Sequence, residues 1–345
     1  MKRLFMTFTS WLYKTSMKRI YRVKMLPFPI WLNILYPLSR RVVESIERSR
    51  KEFIEAMKGF TKKIVVVIGP CSIHNYDLAI RIAKWILKLE KLFGDKIIFV
   101  MRVYFEKPRT TVGWSGWILD PDLDGTGDVA RGLYQAARLL KELREMGVKV
   151  ETEFLGPLIP PYISRFITGG AIGARTTESH SHRKMASILS MPVGFKNGTD
   201  GSITVALDAM ESAAEPGIIV GPSPWLGLIS KLYGKGNKDT HLILRGGKRN
   251  GESISNYDED SVNEAVRQLE GRGLNSRIMV DCSHDNSGKK ARNQMAALKG
   301  TISSIKSGKV FAVMIEANET EKSITDECVT LEEGEEMVKL IYDSV

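Results

Sequence analysis

From residue 63 to the C-terminus, short apolar runs alternate with longer amphipathic stretches, and no other feature of the sequence restricts the fold as much. The runs are KIVVVIG (63–69), KIIFVMRV (96–103), VKVETEF (148–154), GAIGAR (170–175), PVGFKN (192–197), GIIVG (217–221), HLILRGG (241–247), RIMVDCSH (277–284) and FAVMIEA (311–317). Between most of them, apolar residues recur at helical spacing: 78–92, 128–146, 177–189, 203–214, 261–271 and 287–306. Such alternation calls for a parallel sheet whose strands are buried on both faces. Nine runs are one more than an eightfold barrel needs. The odd one is GIIVG, because 222–240 holds two prolines, three glycines and no crossover helix. The expected fold is therefore α/β: a (β/α)8 TIM barrel with a β-hairpin inserted at about 215–240. Ahead of it, Val42, Val43, Ile46, Phe53, Ile54 and Met57 mark an N-terminal helix closed by Gly59. Residues 1–60 read as a basic arm and helix for oligomerisation or regulation, and 61–345 as the catalytic barrel.

A chain of 345 residues with 43% hydrophobic and 26% charged residues can bury a large core, which excludes a disordered or collagen-like chain. Three cysteines (Cys71, Cys282, Cys328) cannot form a disulfide framework. The net charge of +10 is concentrated: residues 1–43 carry nine Lys or Arg and no acid, so the body is nearly neutral. Three readings of that arm stand: a contact with anions, a targeting peptide, or a segment packed on a neighbouring subunit. Lys2-Arg3 before an apolar stretch has the outline of a secretory leader, but no small-residue cleavage pattern follows. The longest uncharged run, 25–39, contains Pro27, Pro29 and Pro37 and is too short for a membrane span. The expected location is cytoplasmic, with no nucleic-acid partner, since the body lacks interleaved basic and aromatic residues.

Chemistry-bearing residues fall at the ends of the strands. Cys71 follows the first; Arg102, Lys107 and Arg109 follow the second; Glu153 lies on the third. Arg175, Lys196 and Arg245 end the next three, His284 and Glu316 the last two. In a (β/α)8 barrel these ends meet at one mouth. Clustered cations repel one another unless an anion completes the site, and Arg forks suit phosphate and carboxylate. Their number suffices for two phosphorylated ligands. The turns at Gly173-Ala174 and Gly246-Gly247 let backbone N–H groups approach phosphate oxygens. Cys71, His284, Glu316 and Asp326 supply S, N and O donors that suit Mn, Fe, Co or Zn. Cys71 also admits two other readings, a nucleophile activated by His284 and a packing thiol. Cys282 and Cys328 read as core thiols; His74, His180 and His241 as hydrogen-bonded structural residues; His182 stays open.

The segments GPCSIH (69–74), MRVYFEKPRTTVGW (101–114), GAIGARTTES (170–179), PVGFKNGTDG (192–201), LRGGK (244–248), SHDNSGK (283–289) and KSITD (322–326) resemble the microbial class I 3-deoxy-D-arabino-heptulosonate 7-phosphate (DAHP) synthases. The resemblance covers roughly residues 20–345 and implies the same barrel with an N-terminal extension and an extra strand pair. It implies condensation of phosphoenolpyruvate (PEP) with erythrose 4-phosphate, the first step of the shikimate pathway. Its metal ligands fall on Cys71, His284, Glu316 and Asp326. Its PEP site falls on Arg102, Lys107, Glu153, Gly173, Ala174, Arg175, Lys196 and Arg245, and its erythrose 4-phosphate contacts on Lys107, Pro108, Arg109 and Thr110. Lys107 is expected to donate a proton or hydrogen bond to the forming alkoxide, and Glu153 to orient or deprotonate the attacking water. The family is usually oligomeric, so a homodimer or homotetramer is expected, and an aromatic amino acid effector comes with it.

The sequence departs from the family pattern at several points. Gly156 replaces an acid, Pro161 is extra, His180 replaces Gln, Cys282 replaces Phe, and Asp285 replaces Ala beside His284. The link from Glu316 to the KSITD run is shorter. Two other readings remain: a related synthase joining PEP to a different aldose, and a non-enzymatic binding protein supported only by the arm.

Overall fold

The computed structural model describes residues 19–109, 112–321 and 323–345. The first 18 residues of the arm, Thr110, Thr111 and Lys322 lie outside the described residues. Eight parallel strands close into a barrel. They are β1 (Ile64–Gly69), β2 (Ile97–Arg102), β3 (Val150–Glu153), β4 (Gly169–Ile172), β5 (Val193–Lys196), β8 (Thr240–Leu244), β11 (Ile278–Asp281) and β12 (Val310–Asn318). Pairing of β1 with β12 as well as β2 shuts the ring. Every residue of these strands is buried, which is why most of them read as apolar runs; β3, VETE, instead carries two buried glutamates.

The odd strand is a hairpin, as expected: β6 (Gly217–Pro222) pairs antiparallel with β7 (Ile229–Gly234) away from the barrel. A second, smaller hairpin joins β9 (Gly247–Arg249) to β10 (Glu252–Ile254). A short β13 (Val329–Thr330) extends the sheet beside β12. The final helix, Leu331–Tyr342, opens with a capping box in which Thr330 and Glu333 satisfy each other's backbone N–H.

Two expected helices are shorter than the spacing suggested. The segment 177–189 is helical only over His180–Ala186. Its Thr residues are spent on a turn, with Thr176 and Thr177 donating to the Gly173 carbonyl from both backbone and side chain. The segment 287–306 becomes α-helical only at Gln294. Gly288 and Lys289 stand in the left-handed region, which no continuous helix tolerates.

The N-terminal helix Arg40–Lys58 is capped by Ser39 at one end and by Gly59, at φ +79°, at the other. It lies under the barrel. Phe53, Ala56 and Met57 join the interior cluster formed by Val65, Val67, Ile98, Ile243, Phe311 and Met314. Arg277 donates to the Ala56 carbonyl at 3.1 Å and Lys58 pairs with Asp239 at 2.6 Å, so the helix is pinned to the strands' N-terminal ends.

Two polar groups lie buried among these apolar residues. Among the described residues, neither ring nitrogen of His241, expected as a hydrogen-bonded residue, has a hydrogen-bond partner; the ring packs against Phe53 and Phe311 instead. Burial pushes its pKa down to about 3, so the ring is neutral. Among the described residues, neither carboxylate oxygen of Glu151 accepts a hydrogen bond of normal geometry. Burial pushes it up to about 7, against the pull of Arg102 and Lys196. The two act on stability with opposite signs. His241 stays neutral in the fold but would protonate in the unfolded chain, so its cost appears as pH falls from 6.5 towards 3. Glu151 stays protonated in the fold but ionises when unfolded, so its cost appears as pH rises from 4.5 towards 7. Glu151→Gln removes the second effect. Relative to the parent, the variant should gain on the order of 3 kcal/mol between pH 4.5 and pH 8, read by urea denaturation across that range. A constant difference would show that Glu151 does not titrate there.

Candidate active site

A cavity of about 470 Å³ opens at the C-terminal ends of the strands. Arg102, Lys107, Pro108, Arg109, Glu153 and Gly173 line one side. Ala174, Arg175, Lys196, Arg245, His284, Glu316 and Asp326 complete it. Cys71 sits just behind, buried, with its Sγ 2.8 Å from Asp326 Oδ2. The barrel thus brings the expected site residues together, apart from Thr110, which lies outside the described residues.

The cavity floor is a lattice of buried ion pairs. Arg102, fully buried at the end of β2, donates from Nη2 to Glu316 Oε1 at 2.6 Å and lies over the Tyr104 ring at 3.7 Å. Burial alone would weaken its hold on the proton; Glu316 and Tyr104 more than offset that, and the guanidinium stays charged. Lys196 Nζ stands 3.4 Å from Glu153 and 3.3 Å from Asp281. Burial acts to raise the Glu153 pKa, but the cations Lys196, Arg102 and Lys107 hold it below the usual carboxylate range. Gly173 makes room for that carboxylate: a Cβ there would lie 2.4 Å from Glu153 Oε1.

His284 closes β11 with φ at +57°, a strained backbone for a non-glycine residue. Its Nδ1 lies 2.7 Å from Ser283 Oγ, which itself donates to Asp281 Oδ1 at 2.7 Å. That relay requires the proton on Nδ1 and leaves Nε2 as a free acceptor. Burial holds the ring below its ordinary pKa despite the neighbouring Asp281, so it is neutral.

Around Cys71, Lys107 Nζ donates to Sγ at 2.9 Å and to the Cys71 carbonyl at 3.2 Å. Thr325 Oγ1 donates to the same sulfur at 3.1 Å. Burial, with Glu316, pushes the thiol pKa up. No His284–Cys71 contact exists among the described residues, so the nucleophile reading loses its activating base. Lys107 stays cationic, because the nearby Glu316 and Asp326 carboxylates outweigh its burial.

Sulfur, imidazole and two carboxylates around one cavity suit a divalent transition ion in their chemistry. The Cys71–Asp326 contact and the free Nε2 of His284 are consistent with that use. Glu316 Oε1 is engaged by Arg102, and among the described residues no three His, Cys, Asp or Glu side chains converge as an ion requires.

The loop carrying Lys107–Arg109 is tied down by two arginines. Arg109 Nε donates to the Trp114 carbonyl at 2.8 Å, and Arg175 Nη1 to the Pro108 carbonyl at 3.1 Å. Arg245 is set by Asn197, whose Oδ1 accepts its backbone N–H at 2.8 Å.

The profile of the DAHP synthetase I family matches residues 42–340. The chain belongs to that family. It is 42% identical to the Tyr-sensitive phospho-2-dehydro-3-deoxyheptonate aldolase of Escherichia coli K12, with 92% of each chain covered. It is 38% identical to the Phe-sensitive enzyme of that organism, over 96% of this chain and 98% of that one. The solved phospho-2-dehydro-3-deoxyheptonate aldolase of Francisella tularensis SCHU S4 superposes with a TM-score of 0.91 at 39% identity, covering 94% and 98% of the two chains.

Within the DAHP synthetase I frame, several residues of the site went unread in the sequence. Asp281 sits three residues before His284 and on the inward phase of β11, a signal in VDCSH that was there to use. Tyr104 and Ser283 had no chemical signature of their own. A second cavity, about 420 Å³, lies between Pro157–Ser164, His180–Leu189 and the β6–β7 hairpin, with His180 and Pro161 in its lining. His182, left open by the sequence, bridges Ser179 Oγ and the Leu155 carbonyl.

Proposed function

We propose that this protein condenses PEP with erythrose 4-phosphate to give DAHP and inorganic phosphate. The supporting observation is the convergence of Arg102, Lys107, Lys196 and Arg245 with Glu153 and His284 on one cavity, in a chain that shares the family's length.

Arg102, Arg175, Lys196 and Arg245 bind the carboxylate and phosphate of PEP and hold its C3 against the aldehyde carbon of the sugar phosphate. Lys107, Pro108, Arg109 and Thr110 receive erythrose 4-phosphate, with Arg109 and Thr110 at its distal phosphate. C3 attacks the aldehyde, and Lys107, cationic in its pocket, donates a proton to the forming alkoxide. Water adds at C2 with Glu153 accepting its proton; the new C2 hydroxyl then gives its proton to the departing phosphate as the C2 carbonyl forms and the C–O bond to phosphate breaks. Gly173 and Ala174 let backbone approach the ligand. Cys71, His284, Glu316 and Asp326 would hold one divalent ion (Mn, Fe, Co or Zn), which when bound supplies Lewis-acid polarisation of the aldehyde oxygen.

The second cavity is the proposed effector site for an aromatic amino acid, and the enzyme is read as cytoplasmic. No helix among the described residues is long and apolar enough to cross a membrane. Residues 1–60 are read as an oligomerisation or regulatory extension of the 61–345 barrel. Exposed Trp31, Ile34, Leu35, Val220, Trp225 and Ile229 support a homodimer or homotetramer, and Ile30 N–H donates to the Trp225 carbonyl at 2.8 Å to join the two segments.

Phosphate release from PEP tests the reading. It should require erythrose 4-phosphate, stop in EDTA, return with Mn(II), and be poor with five-carbon sugar phosphates. No release with erythrose 4-phosphate present defeats the proposal, and undiminished turnover in chelator defeats the ion's role. An aromatic amino acid should inhibit in the same assay.

A further inference from the structure

Asp285 follows His284 directly, at the mouth of the cavity. It is buried, and it is not idle. Its Oδ2 accepts from Arg245 Nη1 at 2.5 Å, and its Oδ1 accepts from Ser253 Oγ at 3.0 Å. Ser253 stands on the β9–β10 hairpin, which Asn256 ties to Asn286 and to Gly246. The carboxylate is therefore held from both sides. Arg245 and Asp285 both line the cavity. Among the described residues, Arg245 Nε and Nη2 have no hydrogen-bond partner, so the guanidinium keeps one free edge while its Nη1 is occupied by an anion of the chain itself.

We propose that Asp285 is an internal counter-anion that competes with the phosphate group of the ligand for Arg245 and so sets how tightly this site holds phosphorylated molecules. The inference rests on reading Arg245 as a phosphate contact. Carboxylate and phosphate oxygens are equivalent acceptors for a guanidinium. The carboxylate is already in place and loses no translational freedom on pairing, whereas the ligand must. A phosphate arriving at Arg245 meets a half-neutralised cation and an adjacent negative charge. The same charge weakens the hold on the phosphate that is released. Asp285 touches no reacting atom in this account; it acts through Arg245 as a specificity-determining residue.

The test uses the full-length protein and inorganic phosphate as probe, titrated calorimetrically, alongside the KM for PEP. Asp285→Asn keeps the shape and removes the charge. It should tighten phosphate binding and lower the KM for PEP, each by about tenfold, with little change in kcat. Ser253→Ala loosens the carboxylate without removing its charge and should leave both values near those of the parent. If Asp285→Asn weakens phosphate binding or leaves it unchanged, Asp285 merely positions Arg245 and the proposal is overturned. Asp285→Ala, which also removes the charge, serves if the Asn variant fails to fold. The titration stands apart from turnover. A parent enzyme that makes no DAHP defeats the functional reading, while tighter phosphate binding by Asp285→Asn would still uphold the competition at Arg245.

Discussion

Arg102→Met is expected to abolish turnover and to lower stability by about 3–5 kcal/mol. Arg102 is fully buried, and its guanidinium meets Glu316 Oε1, the Pro70 carbonyl and the Cys71 carbonyl at 2.6, 3.2 and 3.3 Å. Methionine fills much of the space but leaves Glu316 as an uncompensated charge in the barrel. It also removes the cation above which the proposed PEP carboxylate would sit. The double variant Arg102→Met/Glu316→Gln isolates the stability effect, since Glu316 is itself one of the proposed ion ligands. With no carboxylate left stranded, most of the stability should return in urea denaturation, while phosphate release stays absent. A single variant as stable as the parent would mean that the pair contributes nothing net, and recovered turnover in the double variant would remove Arg102 from the chemistry.

Phe53→Ala should be the most destabilising change outside the cavity, at about 3–5 kcal/mol, with kcat and KM per folded molecule preserved. Phe53 belongs to the helix Arg40–Lys58, not to the barrel strands, yet it is wholly buried inside the strand ring against Phe311 and His241. Truncation leaves a hole at the barrel floor, far along the strands from the C-terminal ends that carry the site. It also lets water reach the unpartnered His241 ring, whose pKa should rise from about 3 towards 6.5. Thermal unfolding measures the first effect and NMR titration of the histidine the second. A loss of stability under about 1 kcal/mol would show that the helix only leans on the barrel.

Most of the eight staves were legible because a strand buried on both faces is mainly apolar, as IVVVIG in β1 is, although β3 buries Glu151 and Glu153. The excursion at GIIVG was legible because proline and glycine displaced the crossover helix. The β9–β10 hairpin was missed. Its strands are three residues long and polar, although Asn250-Gly251, both at positive φ, is the dipeptide a tight hairpin turn selects. The final helix was also passed over despite its Thr330–Glu333 capping box.

The candidate site divides in a similar way. The sequence by itself determined which residue types stand at strand ends, since the alternation of strand and helix fixes those positions and the barrel sends them all to one mouth. It also carried the family motifs residue by residue. It could not say which charges would pair. Arg102 with Glu316, Cys71 with Asp326 and Arg245 with Asp285 are 214, 255 and 40 positions apart. Nor could it say that Phe53 would plug the floor from outside the strands. Side-chain pairing depends on strand register and barrel closure, which are properties of the folded ring, and the pattern along the chain is silent about distances across it.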